Sequence, residues 1–465
     1  MSVATRLALP AMDARVAAGE PPSELRISTD SRTVLPGETF LALRGERFDG
    51  HAFVAAAIAR GAVAAIVEDA GVVPAGAAAI VVRNATAAFL ACASVARRAA
   101  DVRVVAVTGS TGKTTTKELT AQLAEWVGLG PVAATPANEN NEIGVAKLFV
   151  GLPAGTRSVV VELGARHAGE IAPLAAVARP DVAVLTNIGD AHLEIMGSRD
   201  ALIATKWGIF TAAPDAAGQP RAVLNAGDRT ARMRAPDLLR PPMWFATDSE
   251  QLTGLPPDDE FVLIETARAL VRRAGDERAI SIRMTLPGAH NRANLAAAVA
   301  AIVALGVDPE RIAAAIPGLH LPPGRYERRR LADIDVVFDA YNASMDGTLA
   351  TLRSFAQEPA GRRIAVLGSM AELGSEAPSM HRRVGAEAAR LDLDVVLVGG
   401  DFADELARGA LDYGLARHRV VHYAGNAEAA GWLRANGRAG DLVLLKGSRK
   451  YRLEEILDAL RTAHA

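Results

Sequence analysis

The chain has 465 residues, 50% of them hydrophobic, which at roughly 100–200 residues per domain allows two to four domains with cores of their own. Its 51 basic and 53 acidic residues leave a net charge of −2, which excludes a broad basic field for nucleic acid or an anionic membrane and favours small-molecule chemistry. A single cysteine, Cys92, excludes a disulfide framework and a cysteine-rich metal site.

The N-terminal MSVATRLALPAMDAR has no sustained apolar region and no clear cleavage site. The longest run without charge, the 15 residues Ala293–Val307, falls short of the roughly 18–20 needed to span a bilayer. The expectation is a cytoplasmic protein without stable membrane insertion.

Residues 1–102 show short apolar strands and turns around TDSRTVLPGETFLALRGERFDGHAF, then GAVAAIVED and GAAAIVVR as buried strands flanked by Ala-rich helices. Cys92, in AAFLACASVARR, reads as a small core filler. From Val102 a strand, a glycine turn and a helix over about Thr114–Trp126 follow in order. RSVVVELG and DVAVLTNIG are further β-branched runs, and strands alternating with helices predict an α/β fold on a parallel sheet.

GAHNRANLAAAVAAIVALGV predicts a capped, buried helix, and the Pro-Pro-Gly break in LHLPPGRYE a linker near residue 322. Arg328, Arg329 and Arg330 read as a solvated face or linker. Beyond them DVVFDAY, RRIAVLGSM, DVVLVGG, VVHYAG and DLVLLKGS repeat the alternation, as in a further α/β unit.

The stretch VAVTGSTGKTTTKE looks like a phosphate-binding loop, yet the longer form G-x-x-x-x-G-K-[ST] would place its first glycine at Val107. Gly109, Ser110, Thr111, Gly112, Lys113, Thr114 and Thr115 are nonetheless placed to receive phosphates. Loop N–H groups and a helix N-terminus cradle oxyanions, Lys113 reaches the terminal phosphates, and the Thr114 hydroxyl meets Mg²⁺.

Glu162, closing SVVVE, would face the ligand crevice at the carboxyl edge of a parallel strand and offer oxygen to a hard cation. His192, in LTNIGDAHLE, stands beside the same crevice, either as a loop residue or as a ligand. Lys206, in IATKWGIF, is either an exposed helix lysine or a desolvated amine able to add CO₂ and become an anionic carbamate. Asn291 and Asn294 either cap a helix or contact a nucleotide. Asp339 and Tyr341, in FDAYNAS, form a turn or face a nucleotide. Lys446 and Arg449, in LLKGSRK, lie in a helix-starting surface loop or meet phosphate or carboxylate.

Together VTGSTGKTTTKE, TPANENNEIGV, VELGARHAGEI, LTNIGDAHLE, VLNAGD, GAHNRANLAA, FDAYNAS, VLGSMAELG and LLKGSRK resemble the Mur ligase family in its own order, across nearly the whole chain. The shortened loop is a family trait. The resemblance implies three domains: a UDP-sugar domain (1–102), a central P-loop ATPase with a mainly parallel sheet (103–322) and a C-terminal Rossmann-like ligase domain (323–465).

By position it implies Lys113 and Thr114 on phosphates and Mg²⁺, Glu162 and His192 on two Mg²⁺ ions, and a carbamylated lysine at Lys206. Asn291, Asn294, Asp339 and Tyr341 would surround ATP. Thr29, Asp30, Ser31 and Arg32 match the uridine-side motif, with Gly50 and His51 behind them. Asn140, Asn141, Lys446 and Arg449 would serve the substrate.

Within the family, NNEIGV, DAYNA and MAELG with His381 downstream are similar to the member that adds D-Ala-D-Ala to UDP-N-acetylmuramoyl-tripeptide. The D-N-P-R segment usual in the sister that adds the third amino acid is missing. Ser344 and Met345 replace the common Asn-Pro, Ser369 a usual Asp, and no acid follows Lys206 in TKWGIF. A nucleotide-switched binding protein is the alternative of another class, but no N-K-x-D base reader is present. The resemblance thus implies small-molecule partners only, no nucleic acid, and a monomer.

Overall fold

The structure, a computed structural model, describes residues 5–6, 9–22, 24–45, 48–189, 193–212, 218–331 and 334–462. Strands β1 (Arg15–Ala18), β2 (Ile27–Ser28), β3 (Thr39–Leu41), β4 (Ala64–Val67) and β5 (Ala78–Val81) form a sheet in the order β1-β5-β4-β3-β2, parallel except for β1. Helix α1 (Ala85–Ala99) starts where the Asn84 side chain accepts the Ala87 N–H, a regular N-cap.

Nine strands form the central sheet: β6 (Arg103–Thr108), β7 (Val132–Ala134), β8 (Ser158–Glu162), β9 (Val182–Leu185), β10 (Arg221–Asn225), β11 (Met243–Ala246), β12 (Glu260–Ile264), β13 (Arg268–Arg273) and β14 (Asp276–Ser281). Their order is β7-β8-β6-β9-β10-β11-β12-β13-β14, parallel as far as β12 and antiparallel beyond. Runs such as VVAV and VVV are continuous rather than alternating because both faces of these strands are covered. The cover comes from α2 (Lys113–Ala124), α3 (Glu142–Val150), α4 (Ile171–Ala178), α5 (Arg199–Thr211) and α6 (Asn291–Ala304). Helix α2 covers most of the helix the sequence suggests, and at Glu125 it passes into a π-turn over Glu125–Leu129 that holds Gly128 at φ 78°.

A third sheet comprises β15 (Glu327–Leu331), β16 (Ile334–Phe338), β17 (Arg362–Gly368), β18 (Val395–Gly399), β19 (Val420–His422) and β20 (Asp441–Lys446). Its order is β15-β16-β20-β17-β18-β19, with only β15 antiparallel. Helices α7 (Met345–Ala356), α8 (Ala377–Arg390) and α9 (Ala403–Asp412) connect its strands. The three consecutive arginines lie on edge strand β15, each ion-paired: Arg328 with Glu358, Arg329 with Glu327, Arg330 with Asp335.

One apolar core runs from Met12, Leu25, Phe89 and Cys92 into Val104, Phe149 and Val161, so the first sheet and the central sheet share it. Cys92 is a filler there, its Sγ 3.1 Å from Met12 Sδ. The third sheet has two clusters of its own. Among the described residues no helix is long and apolar enough to cross a membrane.

Candidate active site

Strand β6 lies between β8 and β9, so the carboxyl ends of three parallel strands open on one crevice. Gly109 (φ 147°) and Gly112 (φ 79°) turn the chain into α2. A methyl group would stand 1.9 Å from Thr186 Oγ1 at Gly109 and 2.2 Å from Asn294 Oδ1 at Gly112, so side chains clash as well as strain. The first N–H groups of α2 face the turn. Lys113 Nζ donates to Gly109 O (2.9 Å) and Ser110 O (3.2 Å). Thr114 lies at the mouth and Thr115 is buried beneath it.

A second ammonium reaches the same carbonyl. Lys206, on α5 and 4% exposed, donates to Gly109 O at 3.1 Å. Burial, reinforced by the charge of Lys113, pushes its pKa down to about 7. The bland alternative of an exposed helix lysine therefore does not hold. Burial also lowers Lys113, with Glu162 opposing and Arg325 reinforcing the shift.

Glu162 is 1% exposed at the end of β8. Its Oε1 accepts from Asn140 Nδ2 at 2.7 Å, while Oε2 has no partner. A buried carboxylate oxygen left over suits Mg²⁺, which takes few protein oxygens and completes its shell with phosphate and water. Among the described residues no three His, Cys, Asp or Glu gather into a metal cluster. His192 lies outside the described residues.

Asn291 does not cap α6. Its Nδ2 donates to Pro287 O (2.8 Å), and its Oδ1 accepts from Asn294 Nδ2 (2.9 Å), which sets Asn294 against Gly112.

Across the crevice, Arg325 of the linker lays its guanidinium 4.5 Å from the Tyr341 ring centroid and reaches Thr114 Oγ1 at 3.5 Å. Asp339 is paired with Lys446 at 2.9 Å and accepts from Thr351 Oγ1 at 2.6 Å. Burial pushes the Asp339 carboxyl up, but Lys446, His290 and Thr351 outweigh it and its pKa is lowered. His290 Nδ1 meets Ser354 Oγ of α7 at 2.9 Å, and its ring packs edge-on against Tyr326. Arg449 pairs with Glu454 at 2.9 Å, away from this group.

Thr29 and Ser31 sit on the turn after β2, where Arg32 grips Asp30 through two bonds of 2.9 and 2.7 Å and holds its carboxyl below the usual range. Gly50 packs against the Leu43 backbone. His51 is committed within its own domain: Nε2 accepts the Glu68 N–H (2.8 Å), so Nδ1–H donates to Asp49 (2.7 Å). Asn141 caps α3 by accepting the Gly144 N–H.

Three family models match in succession: the Mur ligase catalytic domain over residues 26–109, the Mur ligase middle domain over 107–302, and the Mur ligase glutamate ligase domain over 324–449. The UDP-N-acetylmuramoyl-tripeptide–D-alanyl-D-alanine ligase of Synechocystis sp. is 32% identical over 439 residues, 93% of this chain and 91% of that one. The chain belongs to the Mur ligase family. MurF from Acinetobacter baumannii superposes with a TM-score of 0.84 at 30% identity, over 98% of this chain and 97% of that one. The MurF ligase from Thermotoga maritima, solved in complex with ADP, gives 0.78 at 27% identity, over 94% and 97%.

In this Mur ligase the structure brings Gly109–Thr115, Asn140, Glu162, Lys206, Asn291 and Asn294 to one crevice, with Tyr341 joined through Arg325. Residues Thr29–Arg32, Gly50, His51, Asn141 and Arg449 make their contacts elsewhere. Arg325, His290, Thr186 and Asn187 escape sequence reasoning. The only trace of Arg325 is its place just after the Pro-Pro-Gly break, and of Thr186 and Asn187 theirs at the end of an apolar strand.

Proposed function

We propose that this Mur ligase joins D-Ala-D-Ala to UDP-N-acetylmuramoyl-tripeptide with consumption of ATP. The observation that carries this is the glycine turn at the start of α2, with Lys113 folded onto Gly109 O and Ser110 O and one buried oxygen of Glu162 left unpartnered. An ammonium and free backbone N–H groups at such a turn suit a polyphosphate and the charge that develops when it is cleaved.

A carboxylate is a poor electrophile because it has no leaving group. Transfer of the γ-phosphoryl to the tripeptide's terminal carboxylate gives an acyl phosphate. The dipeptide amine then attacks the carbonyl carbon, and phosphate leaves as the amide forms. In this scheme the loop N–H groups and the start of α2 hold the phosphates. Lys113 exchanges its two carbonyl partners for phosphate oxygens. Thr114 and Glu162 would hold Mg²⁺, with His192 as a further ligand, and the ion would supply neutralisation of charge on the phosphoryl oxygens.

Lys206, whose pKa burial pushes down to about 7, would offer a neutral amine that adds CO₂ with loss of a proton, and the resulting carbamate would be able to hold a second Mg²⁺. Asn291, Asn294, Asp339 and Tyr341 lie around the nucleotide, and Arg325 approaches the phosphates from the linker. Closure of the third domain over the crevice keeps water from the acyl phosphate. Thr29–Arg32, Gly50 and His51 serve the uridine end, and Asn140, Asn141, Lys446 and Arg449 the peptide. A substrate carboxylate at Lys446 competes with Asp339. The division at residues 102 and 322, a monomer and a cytoplasmic site of action complete the reading.

The test is phosphate release from MgATP with each substrate omitted in turn. Release that needs both the UDP-tripeptide and the dipeptide is expected, and release indifferent to the dipeptide refutes the reaction. In the same assay Lys206→Ala loses most turnover while ATP binding is largely kept.

A further inference from the structure

The floor under the phosphate loop is built by residues 186–189, at the end of β9. The Thr186 hydroxyl donates to Thr111 O (2.6 Å), and Asn187 Oδ1 accepts the Thr111 N–H (3.0 Å). Asn187 O accepts the Ser110 N–H (3.0 Å), while the Ser110 hydroxyl meets Gly189 O (3.1 Å) and the Gly189 N–H (2.9 Å). There is no slack in this fit, since Thr186 Oγ1 presses directly on Gly109.

This floor is itself suspended from the end of β10, in VLNAGD. Asn225 Nδ2 donates to Thr186 O at 3.0 Å, and Asn225 Oδ1 accepts the Gly227 N–H at 2.9 Å. Asp228 Oδ2 accepts the Ile188 N–H at 2.6 Å, and Oδ1 accepts from Thr230 and Ala231 at 2.8 and 3.0 Å. Each side chain thus uses one atom to fix its own turn and the other to fix the floor. The bond to Ile188 is short and charge-assisted, the stronger class of hydrogen bond.

We propose that Asn225 and Asp228 are positioning residues for the phosphate loop. They set the height of segment 186–189, to which the Ser110 and Thr111 amides are bonded, and through it the aim of the next amides, at the start of α2, toward the nucleotide. The inference rests on the reading that ATP phosphates lie against this loop. Displacements well under an ångström matter there, because the amides act only when aimed at the charge.

Isosteric exchanges test it. Asn225→Asp keeps the bond to Gly227 but turns an acceptor toward Thr186 O. Asp228→Asn retains one of its two roles, because an amide cannot accept on both sides. Both variants are expected to weaken MgADP binding about tenfold by calorimetry, the scale of one charge-assisted bond. The KM for ATP should rise in parallel, with the KM for the dipeptide within about twofold and melting points within a few degrees.

Asp69→Ala, which removes a comparable cap from the Gly71 N–H in the domain of the first sheet, should leave nucleotide affinity unchanged. Unchanged affinity in both test variants overturns the assignment, as does an equal rise in every KM. Because calorimetry needs no turnover, the result stands whether or not the enzyme proves to join a dipeptide.

Discussion

The two junctions of the central sheet are built from opposite materials. On one side α1 packs against α3 and α4 over a continuous apolar core, and only residues 100–102 separate α1 from β6. Arg97 adds a polar lock, donating to Ala178 O (2.8 Å) and Arg179 O (3.0 Å) at the end of α4. On the other side the contacts among the described residues are mostly polar, although Leu321 packs against the cores of both the central and the third sheets. Arg325 touches Thr114 and Tyr341, His290 meets Ser354, and an exposed Arg166–Glu372 pair spans 3.6 Å. Apolar burial is lost on separation, whereas polar contacts can be exchanged for water at little net cost. The first junction is therefore held by burial that separation would forfeit, and the closure proposed for the third domain would act at the second.

The largest expected effect comes from attacking the joint. Phe149, on α3 and 1% exposed, lies in the shared core. Phe149→Ala should cost about 3–5 kcal/mol and lower the urea midpoint of one transition that reports on both first and central sheets. Two separate transitions there would contradict a shared core.

Arg325→Ala should do the reverse. A cation–π contact at a partly exposed site contributes about 0.5–1 kcal/mol, so the melting point should barely move. Because the guanidinium sits at the mouth of the phosphate loop, the KM for ATP should nevertheless rise about tenfold. Equal kinetics in variant and parent would reduce Arg325 to a packing residue.

The smallest effect is a pH dependence confined to the second junction. Burial pushes His290 from 6.5 down to about 4, with Asp339 opposing and Lys446 reinforcing. With the folded value below the unfolded one, the separated state takes up the proton first. Stability of the closed junction is thus level above about pH 6.5 and falls as the pH drops from there toward 4. Proteolysis at the Pro322–Gly324 linker should quicken over that window, and His290→Gln should flatten the response.

What was legible in the sequence follows from what leaves a local signature. The strand–turn–helix around Gly109–Thr114 is readable because only glycine fits its positive φ angles and its contacts with Thr186 and Asn294. The buried parallel strands announce themselves as unbroken β-branched runs. Strand β14 does not: DERAIS is nearly all exposed, so no apolar period betrays it. The sequence leaves the Asn pair at α6 open between a cap and a nucleotide contact, and only the fold shows its side chains turned to Pro287 and Gly112. Arg325, Asn225 and Asp228 are single polar residues whose partners lie on other strands or in another domain, and spacing along the chain cannot display such partners. The environment of Lys206 was likewise invisible, since burial of α5 is a tertiary fact.

The charged ends of the sheets have a further consequence. An unpaired sheet border is a template for stacking one molecule on the next. Here β14 carries Arg272–Glu277 and Arg278–Asp276 pairs, and β15 carries its three matched arginines. A second chain adding its own strand to either border would have to strip these pairs of water. At high protein concentration, neighbouring copies thus meet a molecule whose two longest open borders are already guarded against fibre growth.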